Sequence, residues 1–204
     1  MIVALPDIRD AHLDGKTVLL RADLNVPYAG VVIADRSRIR RTAATVSALV
    51  NRGARVVVMA HLNRPRGVAN PVMSFAPVAA ALAYELNRSV RFVPDCIGAS
   101  AERWTRSLQD GDVALLENLR FHAEEEQDDR SFAMMLSVHG DLYVNDAPSS
   151  SIRQHASIHA IVPLMRAYAG PHLLAHLAEL DEAEAQRLPG VVALMSKIKV
   201  SEKI

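Results

Sequence analysis

The sequence predicts an α/β protein, an open parallel sheet flanked by helices on both faces in a three-layer α/β/α arrangement. Three observations lead there. Short apolar runs alternate with longer segments of helical period along the chain. Most of the runs are continuously apolar, as strands covered on both faces are. Conspicuous polar residues follow the runs directly, and in open sheets of this kind ligands bind outside the carboxyl ends of the strands.

Strands are predicted at 17–22 (TVLLRA), 54–60 (ARVVVMA), 90–93 (VRFV), 112–117 (DVALLE), 141–145 (DLYVN) and 191–195 (VVALM). A helix is predicted over 36–52, where Ile39, Ala43, Val46 and Val50 recur at helical steps and Gly53 closes the segment. In 75–86, Val78, Leu82 and Leu86 form one stripe behind Ser74 as cap, with Pro77 tolerated in the first turn. Segments 128–138 and 172–187 complete the helices, the former stopping at His139-Gly140. Such alternation implies right-handed crossovers between parallel strands.

The 204 residues, half of them hydrophobic, suffice for a sizeable core. Their 23 basic and 23 acidic side chains give no net charge, which argues against a nucleic-acid or membrane-surface partner. Any anion site must be local. Cys96 is the only cysteine, so neither an intrachain disulfide nor a multi-cysteine metal cluster is available. The N-terminus lacks the pattern of a secretory signal, and no apolar run approaches the roughly 20 residues that span a bilayer. A cytoplasmic location is expected.

Arg21, Asp23 and Asn25 alternate at the end of the first strand, which places them on one face if the strand continues. The second strand is followed by His61, Leu62, Asn63 and Arg64 before Pro65. Glu117, Asn118 and Arg120 follow the fourth; Asn145, Asp146, Arg153 and His155 follow the fifth; Arg38 opens the first long helix. Guanidinium groups bind phosphate and carboxylate oxygens through paired donors. Asp23 can accept from a hydroxyl, and Asn25 can accept or donate. The set suits a small phosphorylated hydroxy acid.

Other features read as structural. Glu124-Glu125-Glu126 is a solvated helix start favoured by the macrodipole. His172 and His176 have zinc-compatible spacing without a third ligand, so no metal site is expected. Cys96 reads as a small buried residue, and Trp104 as a partly buried helix residue.

With these residues assembled, the chain resembles the phosphoglycerate kinase family, specifically its N-terminal, 3-phosphoglycerate-binding half. The matching stretches are RADLNVP, the Arg38-Ile39 helix start, HLNRP, ENLRFHAEEE, YVNDA with Arg153 and HAS behind it, and the terminal KVSEKI, in the family's order. The resemblance implies a Rossmann-like substrate domain over 1–190, with 191–204 as its last strand and the start of a hinge. It implies phosphoryl transfer between 1,3-bisphosphoglycerate and ADP in glycolysis, with ATP/ADP and Mg²⁺ handled mainly by the family's other half. Carried over by motif, substrate contacts fall on Asp23, Asn25, Arg38, His61, Leu62, Asn63, Arg64, Arg120 and Arg153. Arg38, Lys199 and Lys203 match the family's catalytic cations, and Lys203 also its nucleotide-phosphate contact. A separate nucleotide-domain chain, or self-association, is the expected macromolecular partner.

Departures are equally legible. Ser196-Lys197 stand where the family has paired glycines, Asn63 replaces the glycine of HLGRP, and Ile152 replaces a basic-patch histidine. The sequence contains neither GxxxxGK[ST] nor GxGxxG.

Overall fold

The computed structural model describes residues 5–29 and 32–185. Its centre is a six-stranded sheet in the order β5-β6-β4-β1-β7-β8, parallel at every pairing. The strands are β1 (Thr17–Ala22), β4 (Arg55–Met59), β5 (Arg91–Val93), β6 (Val113–Leu116), β7 (Leu142–Asp146) and β8 (Arg166–Ala169). A separate antiparallel pair, β2 (Tyr28–Ala29) and β3 (Val32–Ile33), follows β1. The helices are α1 (Ser37–Val50), α2 (Ala76–Leu86), α3 (Gly98–Arg106), α4 (Ala123–Glu126), α5 (Arg130–Ser137) and α6 (Pro171–Ala185).

Side-chain alternation along buried β1 divides the core into two layers. Val18, Leu20 and Ala22 join Ile39, Val46, Val78 and Leu82 of α1 and α2 on one face. Leu19 joins Ala101 of α3 and Phe132, Ala133 and Leu136 of α5 on the other. Continuous apolar strands are thus sandwiched between helices, as their composition required.

Each predicted strand and helix that falls on described residues is found, with described ends displaced by at most two positions. Ser74 does not occupy the N-cap of α2, which Phe75 takes, but its Oγ accepts from the Ala76 amide at 3.2 Å and donates to Glu117 at 2.6 Å. Asp35 serves α1 in a comparable way, accepting from the Ser37 amide at 2.7 Å. β8 escaped the sequence because it is a short edge strand with only Ala169 buried. Trp104 lies on α3 and is 44 % exposed, partly covered as expected, with the Arg91 guanidinium 5.1 Å above its ring. The strand predicted at 191–195 lies outside the described residues.

Candidate anion-binding site

β1 ends at Ala22, one residue before Asp23, but the alternation of burial runs on: Leu24 and Val26 join Ala22 in one core layer, and Asp23 and Asn25 are half-buried between them. Arg21, Asp23 and Asn25 each bond to a different part of the fold. Arg21 is wholly buried; its Nε donates to Ser157 Oγ at 2.8 Å, Nη1 to the Ala22 carbonyl at 2.7 Å, and Nη2 to His61 Nδ1 at 3.0 Å. Asp23 pairs with Arg38 of α1 and accepts from Ser149 Oγ at 2.7 Å. Asn25 Oδ1 accepts from the Asn63 amide at 2.9 Å. Asp23, Arg38, Asp146 and His172 line a narrow cleft of about 30 Å³ at the ends of β1 and β7.

The Arg21–His61 contact determines a protonation state. A guanidinium only donates, so Nδ1 must accept and the neutral imidazole carries its proton on Nε2. Burial first, then the charges of Arg21, Arg120 and Arg153, hold the His61 pKa far below the ordinary histidine range. His61 therefore offers an N–H donor without adding charge.

The loop after β4 is held by Asn118. Its Oδ1 accepts from the Leu62 amide at 3.1 Å and its Nδ2 donates to the Leu62 carbonyl at 2.8 Å, while the Leu62 side chain is buried. Leu62 therefore shapes the loop. Asn63 has φ of 56°, a left-handed conformation that glycine adopts freely and asparagine tolerates. The glycine-to-asparagine departure is thus compatible with this backbone. Arg64, next along, is exposed.

Arg120 is only 2 % exposed. Its Nη1 donates to the Asn63 carbonyl at 2.7 Å, its Nε lies 3.2 Å from Glu126, and its Nη2 is buried with no hydrogen-bond partner among the described residues. Ser150 Oγ and His155 Nδ1 are likewise buried without hydrogen-bond partners. Arg153, half-buried, bears electrostatically on Arg21, His61, Arg120 and His155 and disfavours protonation of each. The strand ends therefore concentrate mutually repelling cations and spare donors, an arrangement an anion relieves.

The acidic run is not merely a solvated helix start. Glu125 is fully buried and accepts from the Ser157 amide at 2.9 Å and Ser157 Oγ at 2.6 Å, beneath Arg21. Glu126 pairs with Arg120. Local spacing carries no trace of these contacts, because Ser157 is 32 positions away from Glu125. Distance in sequence likewise hides Ser149, 126 positions from Asp23, and Ser157 as site residues, although the HAS stretch containing Ser157 is conspicuous. Lys199, Lys203 and the Ser196-Lys197 departure lie outside the described residues.

The comparisons with known proteins agree with one another. The phosphoglycerate kinase family model matches residues 8–204. The phosphoglycerate kinase of Rhizorhabdus wittichii is 46% identical over 200 residues, covering 98% of this chain and 50% of that protein. That of Bartonella tribocorum is 44% identical over 195 residues, covering 96% and 49%. The solved structure of the Coxiella burnetii phosphoglycerate kinase superposes with a TM-score of 0.80 at 30% identity, covering 88% of this chain and 45% of the other. The chain spans about half the length of the curated relatives it matches.

Proposed function

The chain belongs to the phosphoglycerate kinase family, and from that premise we propose that it forms the 3-phosphoglycerate-binding half of such an enzyme. Residues 1–190 form the substrate domain on this reading, and 191–204 lead into a hinge. The reaction is phosphoryl transfer between 1,3-bisphosphoglycerate and ADP, giving 3-phosphoglycerate and ATP, within cytoplasmic glycolysis. The observation that carries the reading is the convergence of Arg21, His61, Arg120 and Arg153 at adjoining strand ends, with buried Arg120 Nη2 left unpartnered.

Roles follow from the family resemblance and agree with donor chemistry. Arg64, Arg120 and Arg153 neutralise the non-transferred phosphate, aided by the Nε2 proton of His61. Asp23 and Asn25 receive the substrate hydroxyl, for which Asp23 must share or exchange its bonds to Arg38 and Ser149. Arg38, released toward the transferred group, stabilises charge on its equatorial oxygens. Lys199 and Lys203 do the same from the hinge side.

Mg²⁺ does not fit the described residues. Their candidate metal-ligand group, Asp95-Cys96-His122, contains sulfur and nitrogen rather than the all-oxygen set Mg²⁺ requires. Nucleotide binding on this proposal belongs to another domain or chain, and turnover by the 204-residue chain alone is expected to be negligible.

Calorimetric titration of 3-phosphoglycerate into the chain tests the reading. Saturable binding weakened by both Arg38→Ala and Arg64→Ala is expected; no binding by a folded chain would overturn it. The exposed Ile152, in place of a cation, favours a second reading as a non-catalytic phospho-acid-binding or interaction module. Kinase activity on adding a nucleotide-domain chain would separate the two.

A further inference from the structure

We propose that Asp95, Cys96 and His122 bind a divalent cation of the zinc class, at a site apart from the anion cluster. The three residues come from neighbouring strand ends. Asp95 and Cys96 follow β5, and His122 follows the turn after β6. One ligand atom from each lies within 4.8 Å of the other two. A tetrahedral ion that draws them in by a short movement bonds Cys96 Sγ, His122 Nε2 and an Asp95 oxygen, and leaves one position for water.

The surroundings hold the ligands in place. Asp95 Oδ1 accepts from the Cys96 amide at 2.7 Å. The Cys96 carbonyl faces His139 Nε2 at 3.0 Å, and His139 Nδ1 lies 2.9 Å from Thr105 Oγ1. The His122 ring packs on Phe132 with centroids 5.3 Å apart. Such outer contacts orient metal ligands and strengthen sites. Cys96 is buried beneath half-exposed Asp95 and His122, so an ion enters from solvent and meets the sulfur last.

The donor set selects the ion. Thiolate and imidazole favour zinc and its soft neighbours over magnesium or calcium. His122 Nε2 and Asp95 Oδ1 are 2.9 Å apart, sharing a proton whose place the cation takes; that proton passes to solvent, and the imidazole, taking one from solvent on Nδ1, stays neutral. The Cys96 S–H bond breaks as the metal–sulfur bond forms, and its proton leaves to solvent. Burial and the charges of Asp95 and Glu125 raise the pKa of the free thiol, an opposition that the dication's own charge reverses. The bound ion ties the ends of two adjacent strands together at the sheet edge.

Cobalt(II) titration of the chelator-treated chain tests this, followed by displacement with zinc. Stoichiometric binding with a thiolate-to-cobalt charge-transfer band and tetrahedral visible bands is expected. Cys96→Ser should abolish the charge-transfer band, and His122→Gln should weaken zinc binding by at least about tenfold. Absence of the band, or metal affinity unchanged in His122→Gln, would overturn the site and place any binding on other surface histidines. Should Cys96→Ser fail to fold by circular dichroism, the half-exposed His122→Gln variant decides.

Discussion

Arg21 Nη2 donates to His61 Nδ1 across 3.0 Å, with both side chains buried beneath the ends of β1 and β4. Burial of His61, together with the Arg21 charge, makes stability depend on acidity in a definite sense. The folded-state pKa of His61 is depressed below its ordinary 6.5, as are those of His139 and His155. The unfolded chain therefore binds more protons below that pH. The contribution is fully present above pH 6.5 and is lost as pH falls, by about 1.4 kcal/mol per pH unit for His61 alone. Urea unfolding between pH 7 and pH 5 should show the loss. In His61→Gln, whose side-chain carbonyl can still accept from Arg21, the slope should flatten; an unchanged slope would count against His61 as its source.

Glu125 is the buried counter-charge to Arg21, reached through Ser157. Glu125→Ala leaves Arg21 and the Ser157 amide uncompensated and should cost about 3–5 kcal/mol by urea denaturation. A loss below about 1 kcal/mol would show that the guanidinium finds water instead.

Asn63 occupies left-handed backbone, so the side chain added there has a direct cost. Asn63→Gly should change stability by less than about 1 kcal/mol, whereas Asn63→Ala should lose about 1 kcal/mol. Equal stabilities for the two variants would show the loop relaxing to another conformation.

Gly170 lets Asp146 reach the start of α6. A Cβ at Gly170 would stand 2.4 Å from Asp146 Oδ1, the atom that accepts from the His172 amide at 2.7 Å. Gly170→Ala should displace that cap and cost about 1–2 kcal/mol, measured by thermal or urea unfolding. Wild-type stability would mean that Asp146 has a second rotamer that serves equally well.

Ile152 is 81 % exposed beside Arg153. Ile152→His should tighten 3-phosphoglycerate binding below about pH 6.5, where an unperturbed imidazole is charged. The gain should be about 1–2 kcal/mol, or roughly fivefold to thirtyfold, by calorimetry. Unchanged affinity at pH 6 would mean that the side chain at this position points away from the anion.

Sequence alone determined the layered architecture, because continuous apolar strands and helical stripes are local patterns with few ways to bury themselves. It also placed the cations at strand ends, because an open parallel sheet gathers those ends along one edge. Tertiary structure decided what the side chains do there. Asp23 pairs with Arg38, 15 residues on, and accepts from Ser149, 126 residues on. Glu125 leaves the solvent because Ser157, 32 residues later, closes over it. His61 stays neutral because burial, and then the charge of a guanidinium 40 residues away, oppose its protonation. Burial and charge at a site are sums over distant segments, and those sums exist only once the chain has folded.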